Sequence, residues 1–213
     1  MRRALRRAVV GLLTVLLLAS LALLALAAWA SAPFEHTQQN LGRTALVIAR
    51  APAAERIVIG DSRVAMAPRV DGALFVGHAG ATTSDLQRMA KLLCSVSDAP
   101  VVIALGVNDA IPALVDVPAT LSRLAAMRRS CAGRPVRLAQ IWPVEPSRPP
   151  LGRNFDLATI GQINRGIRRL ADQTGAGLIP APALSGHTVD GVHFTPVLSE
   201  RYARTLAGAG SAR

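Results

Sequence analysis

From residue 55 onward, short β-branched runs alternate with segments of helical spacing, and this alternation limits the fold more than any other feature. Ile57-Val58-Ile59, Ala73-Leu74-Phe75-Val76, Val101–Leu105, Val136–Trp142 and Gly177–Pro180 read as five strands. Runs with no polar alternation fit strands covered on both faces. Between them, Ser84–Leu93 repeats apolar residues at Leu86, Met89, Leu92 and Leu93. Pro118 is well placed to open a helix through Leu121, Leu124 and Met127, and Gly133 to close it. Leu157, Ile160, Ile163, Ile167 and Leu170 mark a third helix, and Pro196–Leu206 a last one. Strands that alternate with helices predict a parallel sheet in a three-layer α/β/α sandwich. The longer turns follow the first four strands and precede the last helix. These are carboxyl ends of strands, where open α/β sheets hold their ligands.

Ahead of this domain, Arg2, Arg3, Arg6 and Arg7 precede an uncharged run from Ala8 to Trp29, long enough to cross a hydrocarbon core as a helix. The mean hydropathy of +0.34, high for a soluble chain, owes its excess to this run. Ala28-Trp29-Ala30 and Ala30-Ser31-Ala32 both resemble signal-peptidase sites, but Pro33 directly follows the second, so an uncleaved anchor is the expectation over a cleaved signal. Residues 1–32 are thus read as a cytoplasmic arginine cluster with its transmembrane segment, 33–54 as a stalk, helical or irregular, and 55–213 as the main domain. Arginines on the cytoplasmic side place the domain across the membrane. The expected location is the inner membrane, single-pass, with the domain in the periplasm, or secretion if the signal is cleaved.

The formal charge is +11, with Lys91 the only lysine. Nucleic acid is not an expected partner, because no basic helix or aromatic platform accompanies that charge. An anionic polymer or a membrane surface fits it. Cys94 and Cys131 are the only cysteines. Each falls near the end of a predicted helix that leads into a strand, which leaves a disulfide and two buried thiols both open, with the balance slightly towards the thiols.

Acyl transfer through serine needs a nucleophile, a base beside it, an acid that orients the base, and donors aimed at the oxyanion. The strand ends offer each. Ser62 ends the first strand in Gly60-Asp61-Ser62. Gly80, after the second, brings a backbone N–H close with no side chain in the way, and Asn108, after the third, carries an amide donor at the same rim. Asp190 and His193 stand three residues apart before the last helix, a spacing that lets the carboxylate fix the imidazole tautomer.

Gly60-Asp61-Ser62, the turn with Gly80-Ala81-Thr82, Gly106-Val107-Asn108-Asp109 and Asp190-Gly191-Val192-His193 together resemble the four blocks of the SGNH (GDSL-type) hydrolases, in that family's order. The resemblance implies a flavodoxin-like sheet with Ser62 as nucleophile, His193 as base and Asp190 as its partner. It also implies an oxyanion hole from the Ser62 and Gly80 N–H groups and the Asn108 side chain. Two positions depart from the pattern. Arg63 stands where many relatives have leucine, and reads either as a surface or salt-bridged arginine over the turn or as a cation that selects an anionic substrate. Gly77 stands where many have asparagine.

Two other histidines compete on position alone. His78 lies on the glycine turn and is a candidate to line the pocket, and His187 is three residues before Asp190; the Asp-Gly-Val-His order favours His193. Asp61 and Asp109 read as caps of turns and helix starts. Trp142, Arg148 and Arg153 are candidates to shape a cleft for sugar or acyl groups, with core packing equally open for Trp142. No metal cluster is evident and no cofactor is expected. These readings together predict an exported serine esterase for small acyl groups, O-acetyl foremost, on an envelope or extracellular polysaccharide. An O-acyltransferase working with a membrane acyl-donor protein, a lysophospholipase or thioesterase, and a non-catalytic envelope-binding module are the alternatives.

Overall fold

The computed structural model describes residues 2–32 and 40–208. Residues 33–39 of the expected stalk, and 209–213 at the end of the main domain, lie outside the described residues. Five strands, β1 (Arg56–Gly60), β2 (Ala73–Gly77), β3 (Val101–Ala104), β4 (Val136–Ala139) and β5 (Gly177–Ile179), form one parallel sheet in the order β2-β1-β3-β4-β5. That order is the flavodoxin-like one. Seven helices accompany them among the described residues: α1 (Arg2–Ser31), α2 (Leu41–Arg50), α3 (Ser62–Ala65), α4 (Thr83–Val96), α5 (Val117–Ser130), α6 (Leu157–Thr174) and α7 (Pro196–Ala207).

Side-chain alternation explains why the strand runs are apolar throughout. Ile57, Ile59, Val101, Ile103, Val136 and Leu138 point into one core, against Leu86, Met89 and Leu93 of α4, Leu124 and Met127 of α5, and Ile160, Ile163 and Ile167 of α6. Val58, Val102, Ala104 and Ala139 point the other way, against Val64 of α3 and Tyr202 and Leu206 of α7. The central strands therefore carry apolar side chains on both faces, as in Ile57–Ile59 and Val101–Ala104, whereas β4 nearer the edge admits the half-buried Arg137. Pro118 and Pro196 stand at the starts of α5 and α7 as predicted, and the structure adds Asp116 and Asp156 as the caps of α5 and α6.

β4 is shorter than predicted. After Ala139, the amide of Asn164 on α6 takes the strand's place, accepting from the Ile141 N–H at 2.7 Å and donating to the Ile141 carbonyl at 2.9 Å. Ile141 thus leaves the ladder with its backbone N–H and carbonyl both satisfied. The cysteines are bridged, correcting the slight lean towards thiols: Cys94 on α4 joins Cys131 at the end of α5, with the Cα atoms 5.1 Å apart. Both helices pack side by side on the same face, which brings their C-terminal ends together.

Helix α1 is exposed along its apolar part except at Ala30, which is partly covered. Val9–Ser31 has a mean hydropathy of 2.8 with none of it buried, so it is long and apolar enough to span a membrane. Part of the expected stalk is a helix, α2, which covers the edge of the sheet beside β2 and α4.

Candidate active site

Ser62 owes its place to the end of β1. Asp61 adopts an extended conformation and accepts from the Arg63 N–H at 2.8 Å, capping α3 and putting Ser62 in the first helical position. The close packing of α3 against β2 also accounts for Gly77, where a Cβ would overlap the backbone of Val64 and Ala65. An asparagine there has no room.

His193 reaches Ser62 from the loop before α7. Its Nε2 lies 2.9 Å from the Ser62 Oγ, and its Nδ1 lies 2.6 Å from Asp190 Oδ2. The other oxygen of Asp190 accepts the His193 N–H at 2.8 Å and the Val192 N–H at 3.0 Å. Burial raises the proton affinity of Asp190, but the hydrogen bonds from the His193 ring and from these two backbone groups outweigh it. The carboxyl is held below its ordinary range. An ionised Asp190 only accepts, so the proton between the two sits on Nδ1, and Nε2 is the nitrogen turned to the serine hydroxyl.

After the neighbouring strand β2, Gly80 turns the chain with φ +69°, a conformation glycine adopts without strain. Neither Ser62 nor Gly80 donates its N–H to another described residue. Asn108 is buried, and its Nδ2 spends one hydrogen on the Ala81 carbonyl at 2.9 Å, leaving the second. Asp109 beside it accepts from the Thr83 hydroxyl at 2.6 Å and from the Thr120 hydroxyl at 3.2 Å, tying the starts of α4 and α5 together. Beside His193, between α3 and α7, opens a cleft of about 330 Å³ lined by Met66, Pro68, Phe194 and Pro196 together with Arg63, Ser199 and Glu200.

Arg63 lines the cleft but is not the surface or salt-bridged arginine of the first reading. It is 3% exposed and pairs with no carboxylate among the described residues. Its Nε donates to the Val192 carbonyl at 2.9 Å, and its two terminal nitrogens to Trp142 at 2.8 Å and Pro143 at 3.1 Å. The guanidinium also lies 4.6 Å from the centre of the Phe194 ring. Its donors are therefore turned inward, onto the loop that carries His193 and the loop that leaves β4.

The remaining candidates stand apart from Ser62. His78 is buried just beyond the end of β2, with both ring nitrogens unpartnered, and does not line the cleft. Burial, and then the charge of Arg43, hold its pKa down, so the ring is neutral. His187 is committed to the Pro143 carbonyl, 3.0 Å from its Nε2. Trp142 is 2% exposed and packs against Phe194 and Tyr202, at ring distances of 5.6 and 5.0 Å, as a core residue. Arg148 donates to the Thr188 carbonyl and lies 3.7 Å from Glu145, so it braces loops instead of lining the cleft. Arg153 is exposed.

Sequence reasoning missed Glu145. Its carboxylate accepts from the Gly186 N–H at 2.7 Å, the Thr188 N–H at 2.8 Å and the Thr188 hydroxyl. Burial opposes its charge, but these bonds and His187 bring its pKa down to about 2. No local pattern announces it, since its partners lie some forty residues away in the chain.

A flavodoxin-like sandwich carrying these four blocks at its carboxyl edge is an SGNH hydrolase. The sequence model of the GDSL-like lipase/acylhydrolase family matches residues 28–200, and the chain belongs to that family. A search of curated proteins found no match. Among solved structures, a lipase/acylhydrolase from Enterococcus faecalis is similar with a TM-score of 0.61 and 21% identity, over 72% of this chain and 94% of its own. Est24, a carbohydrate acetylesterase from Sinorhizobium meliloti, gives 0.59 and 16%, over 74% and 98%. The acetyl xylan esterase AlAXEase gives 0.58 and 19%, over 73% and 99%. At these identities the likeness concerns the fold.

Proposed function

We propose that the protein is a membrane-anchored serine esterase that removes small acyl groups, O-acetyl foremost, from carbohydrate, with Ser62 as nucleophile. The observation that carries this reading is the unbroken chain from Ser62 Oγ to His193 Nε2, and from His193 Nδ1 to Asp190. In this mechanism Nε2 takes the hydroxyl proton as Oγ attacks the ester carbonyl, and Asp190 stabilises the imidazolium that forms. The oxyanion receives the Ser62 and Gly80 N–H groups and the second hydrogen of the Asn108 amide. His193 then protonates the departing alcohol, and water, activated by the same nitrogen, hydrolyses acyl-Ser62.

The modest size of the cleft beside His193, about 330 Å³, supports a small acyl group. The names of the acetyl xylan esterase and of the carbohydrate acetylesterase agree with such a substrate for those proteins. In the same reading α1 is retained, Arg2, Arg3, Arg6 and Arg7 stay cytoplasmic, and the domain works in the periplasm. A sugar hydroxyl in place of water would turn the same acyl-enzyme to transfer.

The test is labelling by a fluorophosphonate probe, expected at Ser62 and lost in Ser62→Ala. With it, acetate release from acetylated glycan and from p-nitrophenyl acetate should exceed release from long-chain esters. A folded protein that does not label, or one that prefers long chains, overturns the proposal.

A further inference from the structure

Outside α1, eight large apolar side chains are exposed among the described residues, and their distribution is one-sided. Leu46 and Leu92 lie on α2 and α4. The other six, Met66, Leu114, Val115, Leu157, Val189 and Val197, all stand at the carboxyl edge of the sheet, around the mouth that holds Ser62 and His193. Met66 closes α3. Leu114 and Val115 belong to the loop after β3, Leu157 begins α6, Val189 precedes Asp190, and Val197 sits in the first turn of α7. The opposite edge, at the strand starts, exposes Asp71, Asp98 and Arg129 instead. A ring of apolar groups on one edge of a water-soluble domain marks a surface that meets something apolar.

The path of the chain says what that is. The C-terminal end of α2 feeds β1 at the amino edge through Ala51–Ala53. A helix of this length rises about 15 Å, the height of a five-residue strand, so the first turn of α2 returns to the carboxyl edge. The charge of Arg43 in that turn accordingly acts on His78, just beyond the end of β2. The Ala30 carbonyl of α1 lies 3.6 Å from where a Cβ on Gly42 would stand. Residues 32–40, at ~3.5 Å each, span at most about 30 Å. The membrane-spanning helix is therefore attached at the same edge as the catalytic mouth.

We infer that the domain docks its carboxyl edge onto the bilayer that α1 spans, with Leu114, Val115, Leu157, Val189 and Val197 as the contact rim. Its substrates are esters presented at that surface, on amphiphilic or lipid-linked carriers. The tether keeps the domain at a high effective concentration beside the bilayer, and the rim supplies the orientation. This inference rests on α1 as an anchor and on the site proposed above, and it narrows that site's substrates to those held at the membrane.

The test uses the full chain in nanodiscs of phosphatidylethanolamine and phosphatidylglycerol, with one environment-sensitive fluorophore per variant and the native disulfide left oxidised. Labels at Leu114→Cys and Val197→Cys should lose emission when brominated lipid is substituted, and labels at Asp98→Cys and Arg129→Cys should not. Rim labels that stay unquenched in pure lipid overturn the inference and point to a protein partner or a second copy; equal quenching at both edges also overturns it. This readout needs no activity, so a failure of the esterase reading shows separately, as loss of fluorophosphonate labelling. In Leu114→Glu/Val197→Glu, turnover of a bilayer-embedded acetyl ester should fall about tenfold or more, relative to soluble p-nitrophenyl acetate, because two apolar contacts are replaced by charges. An unchanged ratio refutes the docking.

Discussion

Replacing Arg63 by leucine, the residue many relatives carry after the serine, should reveal how the His193 loop is held. The guanidinium serves three carbonyls, those of Val192, Trp142 and Pro143. Pro143 keeps a second partner in His187, 3.0 Å away, whereas Val192 and Trp142 have no other donor among the described residues. Two orphaned buried acceptors cost about 1–3 kcal/mol each. The lost contact with Phe194 adds about 1 kcal/mol, while removing a buried cation returns part of the sum. The net expectation is a loss of roughly 2–4 kcal/mol in urea unfolding. Lysine offers one compact ammonium for three divergent acceptors, so Arg63→Lys should recover only part of it. Val192 adjoins His193, so freeing its carbonyl loosens the imidazole relative to Ser62. A displacement near 1 Å costs on the order of 10²-fold in rate. Measured where the variant is still folded, kcat should fall by about 10–100-fold with KM for a neutral acetyl ester little changed. A variant with unchanged kcat and raised KM only for anionic esters would refute this reasoning and restore Arg63 as a substrate contact.

Asp190→Asn should lower kcat by about 10²–10⁴-fold with KM nearly constant, because an amide no longer fixes the Nδ1–H tautomer; steady-state kinetics on p-nitrophenyl acetate reads this, and an unchanged rate removes Asp190 from the mechanism. Cys94→Ala/Cys131→Ala opens a bridge between residues 37 apart, which chain entropy values at about 3–4 kcal/mol; an unaltered urea midpoint would contradict it. Burial raises the Asp61 carboxyl from 3.8 to about 6, against the opposing charge of Arg63. Its contribution therefore favours the fold fully below pH 4 and is lost as pH rises through 6. Asp61→Asn should then gain on wild type by on the order of 2–3 kcal/mol at pH 8 and by little at pH 4, and a difference that shrinks as pH rises would reverse the sign of the argument.

Much of this architecture was legible because its determinants are local. Ile57-Val58-Ile59 and Val101–Ile103 are apolar at every step, which only a doubly covered strand requires, and Pro118 and Pro196 stand at the helix starts. The approach of Asp190 and His193 to each other was legible from their spacing in one loop, and their approach to Ser62 from the order of the blocks. What stayed hidden depends on partners distant in the chain. The acceptors of Arg63 lie 79, 80 and 129 residues away, so nothing beside it distinguishes a buried clamp from a surface cation. The end of β4 is set by Asn164, 23 residues later, and the cysteine pairing by how α4 lies against α5. His78 looked available because its place on a glycine turn says nothing of the burial that the folded chain gives it.

The bracing by Glu145 and Arg148 divides the mouth into a fixed half and an adaptable one. The loop after β4 and the loop bearing Asp190 and His193 are sewn together. Glu145 N–H donates to the Gly191 carbonyl at 2.8 Å and Leu151 N–H to Asp190 at 2.9 Å, beside the carboxylate bonds to Gly186 and Thr188. An insertion in either loop would drag the imidazole off Ser62, so neither can lengthen to follow a new substrate without loss of rate. Across the mouth, the turn Pro112–Leu114 is closed by its own Leu114 N–H to Ile111 at 2.8 Å and, among the described residues, makes no hydrogen bond to either of those loops. Divergence in substrate shape, by nature or by design, has its tolerant ground there.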